Sequence, residues 1–229
     1  PTKDWLRLLQ NISDQYQSNF AKIEEYAQKL TRGIQLQETA ISDQTTQSLD
    51  DTVLDNLVKE WKKNWDYNDG GMNRAPKFPM PSNYDFLISY AHHSSDNTID
   101  EFINITLTKM AYGGIFDQIG GGFSRYSVDG IWKVPHFEKM LYDNAQLLSI
   151  YAKTYQKTKK PLFKQVIDKT ANWLEREMLD KSGLFYAALD ADSEGEEGKY
   201  YVWKSEELKD VLKEDFDLTV SYYEVDKKA

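Results

Sequence analysis

The sequence contains no cysteine, which excludes a disulfide scaffold, a Cys-ligated zinc site and dithiol redox chemistry within this chain. It has no apolar run near the roughly 18 residues that span a bilayer and no signal-peptide pattern, so a soluble, cytoplasmic protein is expected. Positive charge is scarce. The 28 Lys and Arg against 37 Asp and Glu leave a formal charge of −9, which argues against nucleic acid or an anionic membrane as the main partner. Also missing are a phosphate-cradling glycine loop, a His-Glu-x-x-His helix and a nucleophile elbow, so nucleotide binding and serine hydrolase chemistry are poor assignments.

What is abundant is aromatic: 6 Trp, 15 Tyr and 10 Phe among 229 residues. A chain of this length can bury a real core as one large domain or two small ones. It begins at Pro1 rather than Met and stops without a clear end signal, the pattern expected of a fragment.

Helical spacing dominates the first third. Tyr16, Phe20, Ile23, Ala27, Leu30 and Ile34 recur every three or four residues, with Gly33 placed to end the helix. The polar stretch Gln35 to Asp51 reads as a linker. Leu54, Leu57, Val58, Trp61 and Trp65 form the next stripe, ending at Asn68-Asp69-Gly70-Gly71. Ser82 with Asp85, and Thr98 with Glu101, are spaced as capping boxes that open two further helices. Pro135 and Pro161 occupy first-turn positions of two more, and Ser205-Glu206-Glu207 opens the last.

Short links, Ser94 to Asp96 and Lys157 to Lys160, alternate with long ones, Asp66 to Pro81, Gly113 to Val134 and Lys181 to Lys204. Antiparallel helices joined this way gather the long loops at one end, where sites collect. Those loops share a signature, Gly70-Gly71-Met72, Gly121-Gly122-Phe123 and Gly183-Leu184-Phe185, at irregular intervals. The pattern is a loose helical-hairpin repeat and points to an α/α toroid or part of one. Asp129-Gly130 predicts a hairpin in which Val128 faces Ile131, Ser127 faces Trp132 and Arg125 faces Val134. In the third loop, Phe185 to Leu189 is expected to pair with Tyr200 to Trp203 around the acidic tip Asp190 to Gly198.

The densest chemistry lies in Pro135-His136-Phe137-Glu138-Lys139-Met140-Leu141-Tyr142-Asp143-Asn144. On a helix beginning at Pro135, His136 lies near Met140 and Asp143 and Glu138 lies near Tyr142. An imidazole and carboxylates beneath an Arg- and Trp-bearing hairpin suit acid–base work on a polyhydroxylated substrate, with Arg125, Asp143 and Asn144 binding hydroxyls. The alternative is that His136 and Glu138 merely cap and brace the helix. Asp190-Ala191-Asp192-Ser193-Glu194-Gly195 opens like a calcium loop, but Tyr201 stands where the bidentate Glu is needed. Arg74-Ala75-Pro76-Lys77-Phe78-Pro79 follows an extended path that aims Lys77 at the same face, or else is a rigid loop packed by Phe78. No metal site and no cofactor are expected.

Arg74 to Pro79, Gly120 to Asp129, Trp132 to Ala145 and Asp190 to Gly195 together resemble the spermatogenesis-associated protein 20 family, whose bacterial members are known as thioredoxin-domain or YyaL-like proteins. The resemblance covers roughly residues 1 to 220 and implies an N-terminal thioredoxin-like module followed by an α/α toroid like those of six-hairpin glycosidases and N-acylglucosamine 2-epimerases. On that basis the thioredoxin-like module is absent here. Residues 1–48 are a helical arm and linker, and 49–229 are the first part, about three hairpins, of a mainly all-α toroid with small β-hairpins in its long loops. The expectation is a carbohydrate-binding or carbohydrate-modifying protein, closer to an epimerase or isomerase than to a glycosidase. His136, Glu138 and Asp143 would be catalytic, and Lys77, Arg125, Tyr126, Trp132, Asn144, Asp190 and Asp192 would bind a sugar or sugar derivative. The rival is a non-catalytic scaffold whose acidic loop face binds a partner or the thioredoxin-like module.

Overall fold

The computed structural model describes residues 2–38, 51–94, 96–223 and 225, and the chain divides into two compact units, Pro1–Leu54 and Asp55–Ala229. The first contains α1 (Thr2–Ser18) and α2 (Phe20–Glu38), which pack on each other. Their apolar residues remain largely exposed, Trp5, Ile12, Tyr26 and Leu30 among them. The break falls at Asn19, not at Gly33, which lies within α2 with open space where its Cβ would be. Most of the expected linker lies outside the described residues, although its first positions continue α2.

The second unit takes in most of α3 (Asp51–Lys62), followed by two hairpins with short links, α4 (Pro81–Ser94) to α5 (Asn97–Tyr112) and α6 (Leu141–Thr158) to α7 (Pro161–Trp173). Successive hairpins stack, α4 on α6 and α5 on α7. A π-helical turn, Leu174–Met178, follows α7, and α8 (Ser205–Leu212) and α9 (Phe216–Tyr223) close the chain. The core combines Val58, Leu87, Phe102, Ile103, Leu107, Met110, Leu147, Ile150, Tyr151, Phe163 and Val166. Phe116, Phe123, Tyr151 and Phe163 form a run of ring contacts 4.7, 5.4 and 5.5 Å apart. Each such pair adds about 0.5–1.5 kcal/mol to simple burial, so the run ties the second long loop to both helices of its hairpin. No described helix is long and apolar enough to cross a membrane.

The shared loop signature is a structural repeat. Trp65 bridges Met72, Phe116 bridges Phe123, and Leu179 bridges Phe185. Inside the first two turns an aspartate organises the backbone: Asp66 Oδ1 accepts from the N–H of Asn68 and Asp69, and Asp117 Oδ1 from Ile119 and Gly120. Their main chains match as well, Gly70 N–H donating to Asp66 and Gly121 N–H to Asp117, each at 2.9 Å. Gly121 and Gly122 have φ of +84° and +82°, and a Cβ there would lie 2.4 Å from the Lys169 carbonyl and 2.7 Å from the Trp173 ring. Only glycine fits both the conformation and the space.

Each of these two turns is plugged by a buried lysine. Lys77 Nζ lies 2.8 Å from Asp66 Oδ2 and 2.8 Å from the Gly70 carbonyl, beneath Trp132 at 5.4 Å. Lys139 Nζ lies 2.9 Å from Asp117 Oδ2 and 2.9 Å from the Gly121 carbonyl, with Trp173 at 5.3 Å and Tyr201 at 4.8 Å. The third turn differs: Asp180 accepts from Ser182 N–H and Tyr186 Oη–H, both exposed.

The long loops are laced together by backbone pairing. Lys77 bridges Ser127, β1 (Tyr126–Ser127) pairs with β2 (Pro135–His136), and β3 (Lys139–Met140) pairs with β4 (Ala188–Leu189). Several sequence expectations are corrected here. The helix does not begin at Pro135, because residues 135–140 spend their backbone hydrogen bonds on two ladders and on Arg125 N–H to Glu138 carbonyl, so α6 starts at Leu141. The hairpin register is not centred on Asp129-Gly130. Asp129 gathers the N–H groups of Ile131, Lys133 and Val134 into a wide loop, Trp132 takes the left-handed backbone (φ +66°), and Tyr126 faces His136 while Ser127 faces Pro135. In the third loop Phe185 to Leu189 does not meet Tyr200 to Trp203. Instead β5 (Asp192–Ser193) turns tightly into β6 (Glu196–Glu197) through Glu194 and Gly195, both at positive φ as a two-residue primed turn requires. The cap of α5 is Asp96, whose side chain accepts from Thr98 N–H.

Candidate functional site

The site begins with the register of β1 and β2. Because Tyr126 lies opposite His136, their rings stack at 4.8 Å and 18°, and Phe78 from the first loop stacks on Tyr126 at 4.7 Å. Arg125, one residue earlier, reaches Glu138: Nη1 to Oε2 is 2.8 Å, reinforced by Arg125 N–H to the Glu138 carbonyl, also at 2.8 Å. The Glu138 hydrogen bond holds the Arg125 guanidinium more firmly protonated than usual. His136 Nε2 lies 4.0 Å from Glu138 Oε2, and its Nδ1 lies 2.6 Å from Glu197 Oε1 on the acidic hairpin.

Asp143, in the first turn of α6, is half-buried, and that burial pushes its carboxyl up to about 6; Arg125 opposes the shift and the Glu138 charge adds to it. A carboxyl poised there carries and releases a proton at the pH at which an imidazole does. Arg125, Tyr126, His136, Glu138 and Asp143 therefore form one cluster where the second and third long loops meet.

The structure does not bring the other sequence-named residues to that cluster. Lys77 is buried as the plug of the first turn, and Trp132 is wholly buried with Nε1 donating to the Asp69 carbonyl. Asn144 is also fully buried; its Oδ1 accepts from Phe123 N–H at 2.7 Å, and its Nδ2 donates to the Phe123 and Met140 carbonyls. Asp190 and Asp192 are exposed, Asp190 Oδ1 accepting from Asp192 N–H. Sequence reasoning missed Glu197 and Phe78. The signal for Glu197 was the Glu194-Gly195 pair, which as a two-residue turn places Glu197 opposite Asp192 and at the base of the hairpin.

The hairpin base is built. Gly198 has φ +75° and a Cβ on it would lie 2.5 Å from the Phe137 ring, which in turn stacks on Tyr201 at 5.5 Å and 10°. Among the described residues, no group of three or more His, Asp or Glu side chains is arranged to hold a metal ion.

No family model matches the chain. Against curated proteins it is 35% identical over 218 residues to spermatogenesis-associated protein 20 of Mus musculus, covering 90% of this chain and 28% of that protein. Over most of its length the chain is therefore similar to spermatogenesis-associated protein 20. A further relative, the uncharacterised protein B0495.5 of Caenorhabditis elegans, is 38% identical over 194 residues, covering 76% of this chain and 26% of the relative. The chain thus spans little more than a quarter of the length of the curated relatives it matches.

Solved structures of similar fold place this chain in a known architecture. Cellobiose 2-epimerase from Bacillus thermoamylovorans superimposes with a TM-score of 0.52 at 12% identity, over 74% of this chain and 53% of that one. A family 76 glycoside hydrolase from a bovine Bacteroides thetaiotaomicron strain gives 0.50 at 17%, over 75% and 40%. The fold is the mainly helical α/α toroid type with small β-hairpins, as the loop pattern and the family resemblance had indicated.

Proposed function

We propose that this chain carries part of a carbohydrate-modifying site in which His136 transfers protons, with Asp143 as its partner, in epimerase- or isomerase-type chemistry. The observation that carries the proposal is the meeting of His136, Glu138, Arg125 and a raised-pKa Asp143 beside the Tyr126 and Phe78 rings. Aromatic faces stack on the apolar faces of sugars, while the charged groups address hydroxyls. The toroid shared with a cellobiose 2-epimerase and a glycoside hydrolase supports the substrate class.

Hydrolysis of glycosides needs two carboxyl groups, one an acid and the other a free nucleophile or base. Here Glu138 is held by Arg125 and Glu197 by His136, leaving Asp143 as the unengaged member. Proton shuttling asks for less. The His136 ring takes the proton from the carbon next to an open-chain carbonyl, and the electron pair passes into an enediol whose oxygen receives the Asp143 proton. Return of the proton to the opposite face of the same carbon epimerises the sugar; return to the neighbouring carbon isomerises it. Either way Asp143 recovers its own proton from the hydroxyl.

The test is a screen of neutral mono- and disaccharides and sugar phosphates for thermal stabilisation, followed by proton NMR in D2O for deuterium entering at the carbon beside the carbonyl. Stabilisation and deuterium uptake, both lost in His136→Ala, are expected. Uptake that survives in His136→Ala removes that residue, and a screen in which no sugar stabilises the protein or exchanges removes the carbohydrate assignment.

A further inference from the structure

We infer that Glu197 is a positioning residue for His136, setting which ring nitrogen is free to act. This rests on the proton-transfer reading of His136 given above, and it adds the acidic hairpin to the site as a working part. An ionised carboxylate can only accept hydrogen bonds, so at 2.6 Å from Glu197 Oε1 the Nδ1 of His136 must carry the hydrogen. The lone pair of the neutral ring then lies on Nε2. That atom is 4.0 Å from Glu138 Oε2, beyond hydrogen-bond length, and so remains available to a substrate.

The contact comes from a built arrangement. Glu197 sits opposite Asp192 in the β5–β6 ladder, Gly198 N–H donates to the Ala191 carbonyl at 2.9 Å, and Gly198 packs directly under Phe137, the neighbour of His136. Phe137 stacks on Tyr201, whose N–H returns to the Gly198 carbonyl at 2.8 Å. The hairpin is thus pinned on both sides of Phe137, and the Tyr126 stack fixes the plane of the imidazole that Glu197 addresses. Two other acids of the hairpin are engaged elsewhere: Glu194 pairs with Lys199, and Asp190 binds the Asp192 backbone. A carboxylate that holds an imidazole in one tautomer and orientation is the arrangement by which a base is kept ready for proton abstraction.

Three histidines make the experiment simple. Long-range proton–nitrogen correlation spectra of the full chain labelled with 15N-histidine report the tautomer of each ring, and His136→Gln assigns the third signal. At a pH where the ring is neutral, His136 is expected to show the Nδ1–H form, and Glu197→Ala is expected to abolish that form. Glu196→Ala on the same hairpin should leave the His136 signal unchanged, and unshifted His92 and His93 signals report that the variants fold. An Nε2–H ring in the parent protein, a tautomer unmoved by Glu197→Ala, or the same change in Glu196→Ala overturns the inference. No sugar enters this measurement, so it fails or succeeds independently of the carbohydrate assignment. Where a turned-over sugar is in hand, Glu197→Ala is expected to lower kcat by about 10²-fold with KM little changed; a rise in KM alone would instead make Glu197 a substrate contact.

Discussion

The Lys139 ammonium lies 2.9 Å from the Asp117 carboxylate and is almost wholly removed from solvent. Burial drives the Lys139 pKa down and Asp117 opposes it; burial likewise raises Asp117, and Lys139 with two backbone N–H groups more than reverses that. Removing one partner strands the other charge, so Lys139→Ala should cost about 3–5 kcal/mol in chemical denaturation. Adding Lys139→Met to Asp117→Asn should cost much less than the two single changes summed. The exposed Lys153–Asp85 pair is the control, and Lys153→Ala should stay within about 1 kcal/mol of the parent.

Gly198→Ala places a methyl 2.5 Å from Phe137 at a φ of +75°. Strain at such a position costs about 1–3 kcal/mol, and the displaced Phe137 carries His136 with it. Both a lower unfolding midpoint and a changed His136 NMR signal are therefore expected. A stable variant with the His136 signal intact would show that the hairpin is not pinned there.

Asp143 gives a pH signature. Its folded-state pKa is raised from 3.8 to about 6 by burial, so between those values the folded protein binds the proton more tightly than the unfolded chain. Stability then falls as pH rises from about 4 to about 6 and levels off above. Undiscounted, the shift corresponds to about 3 kcal/mol; because the carboxyl is only half-buried, solvent screening brings this to about 1 kcal/mol. Asp143→Asn removes the ionisation, so its stability relative to the parent should improve by that amount between pH 4 and pH 7, read from urea midpoints.

Asp129 organises the loop that separates β1 from β2. Burial pushes its carboxyl up, but the N–H groups of Ile131, Val134 and Lys133 outweigh that and leave it below the usual range. Its stabilisation is present above the ordinary aspartate pKa and is lost as pH falls through the depressed value. Asp129→Ala leaves three backbone donors without their acceptor and should cost about 1–3 kcal/mol near neutral pH, with the loss shrinking in acid. The same variant frees the Tyr126–His136 register, so the His136 signal should broaden.

Much of this was legible in the residues themselves. Pro161 opens α7 as a first-turn proline should, and the glycine signatures mark the repeated turns. Pro135 looked alike but opens no helix, because residues 135–140 pair instead with β1, just before them, and with β4, far along the chain. The same non-local pairing decided the site. Arg125, Tyr126, His136, Glu138 and Asp143 do gather, whereas Lys77, Trp132 and Asn144 were drawn into the turns. A lysine among prolines gives no local sign that an aspartate eleven residues earlier will bury it.

The roof over each lysine comes from later in the chain: Trp132 for Lys77, and Trp173 with Tyr201 for Lys139. A chain cut short of Trp132 would leave Lys77 without its cover, and one cut short of Tyr201 would leave Lys139 with Trp173 alone. Each turn thus depends for its closure on a segment that follows it in the chain.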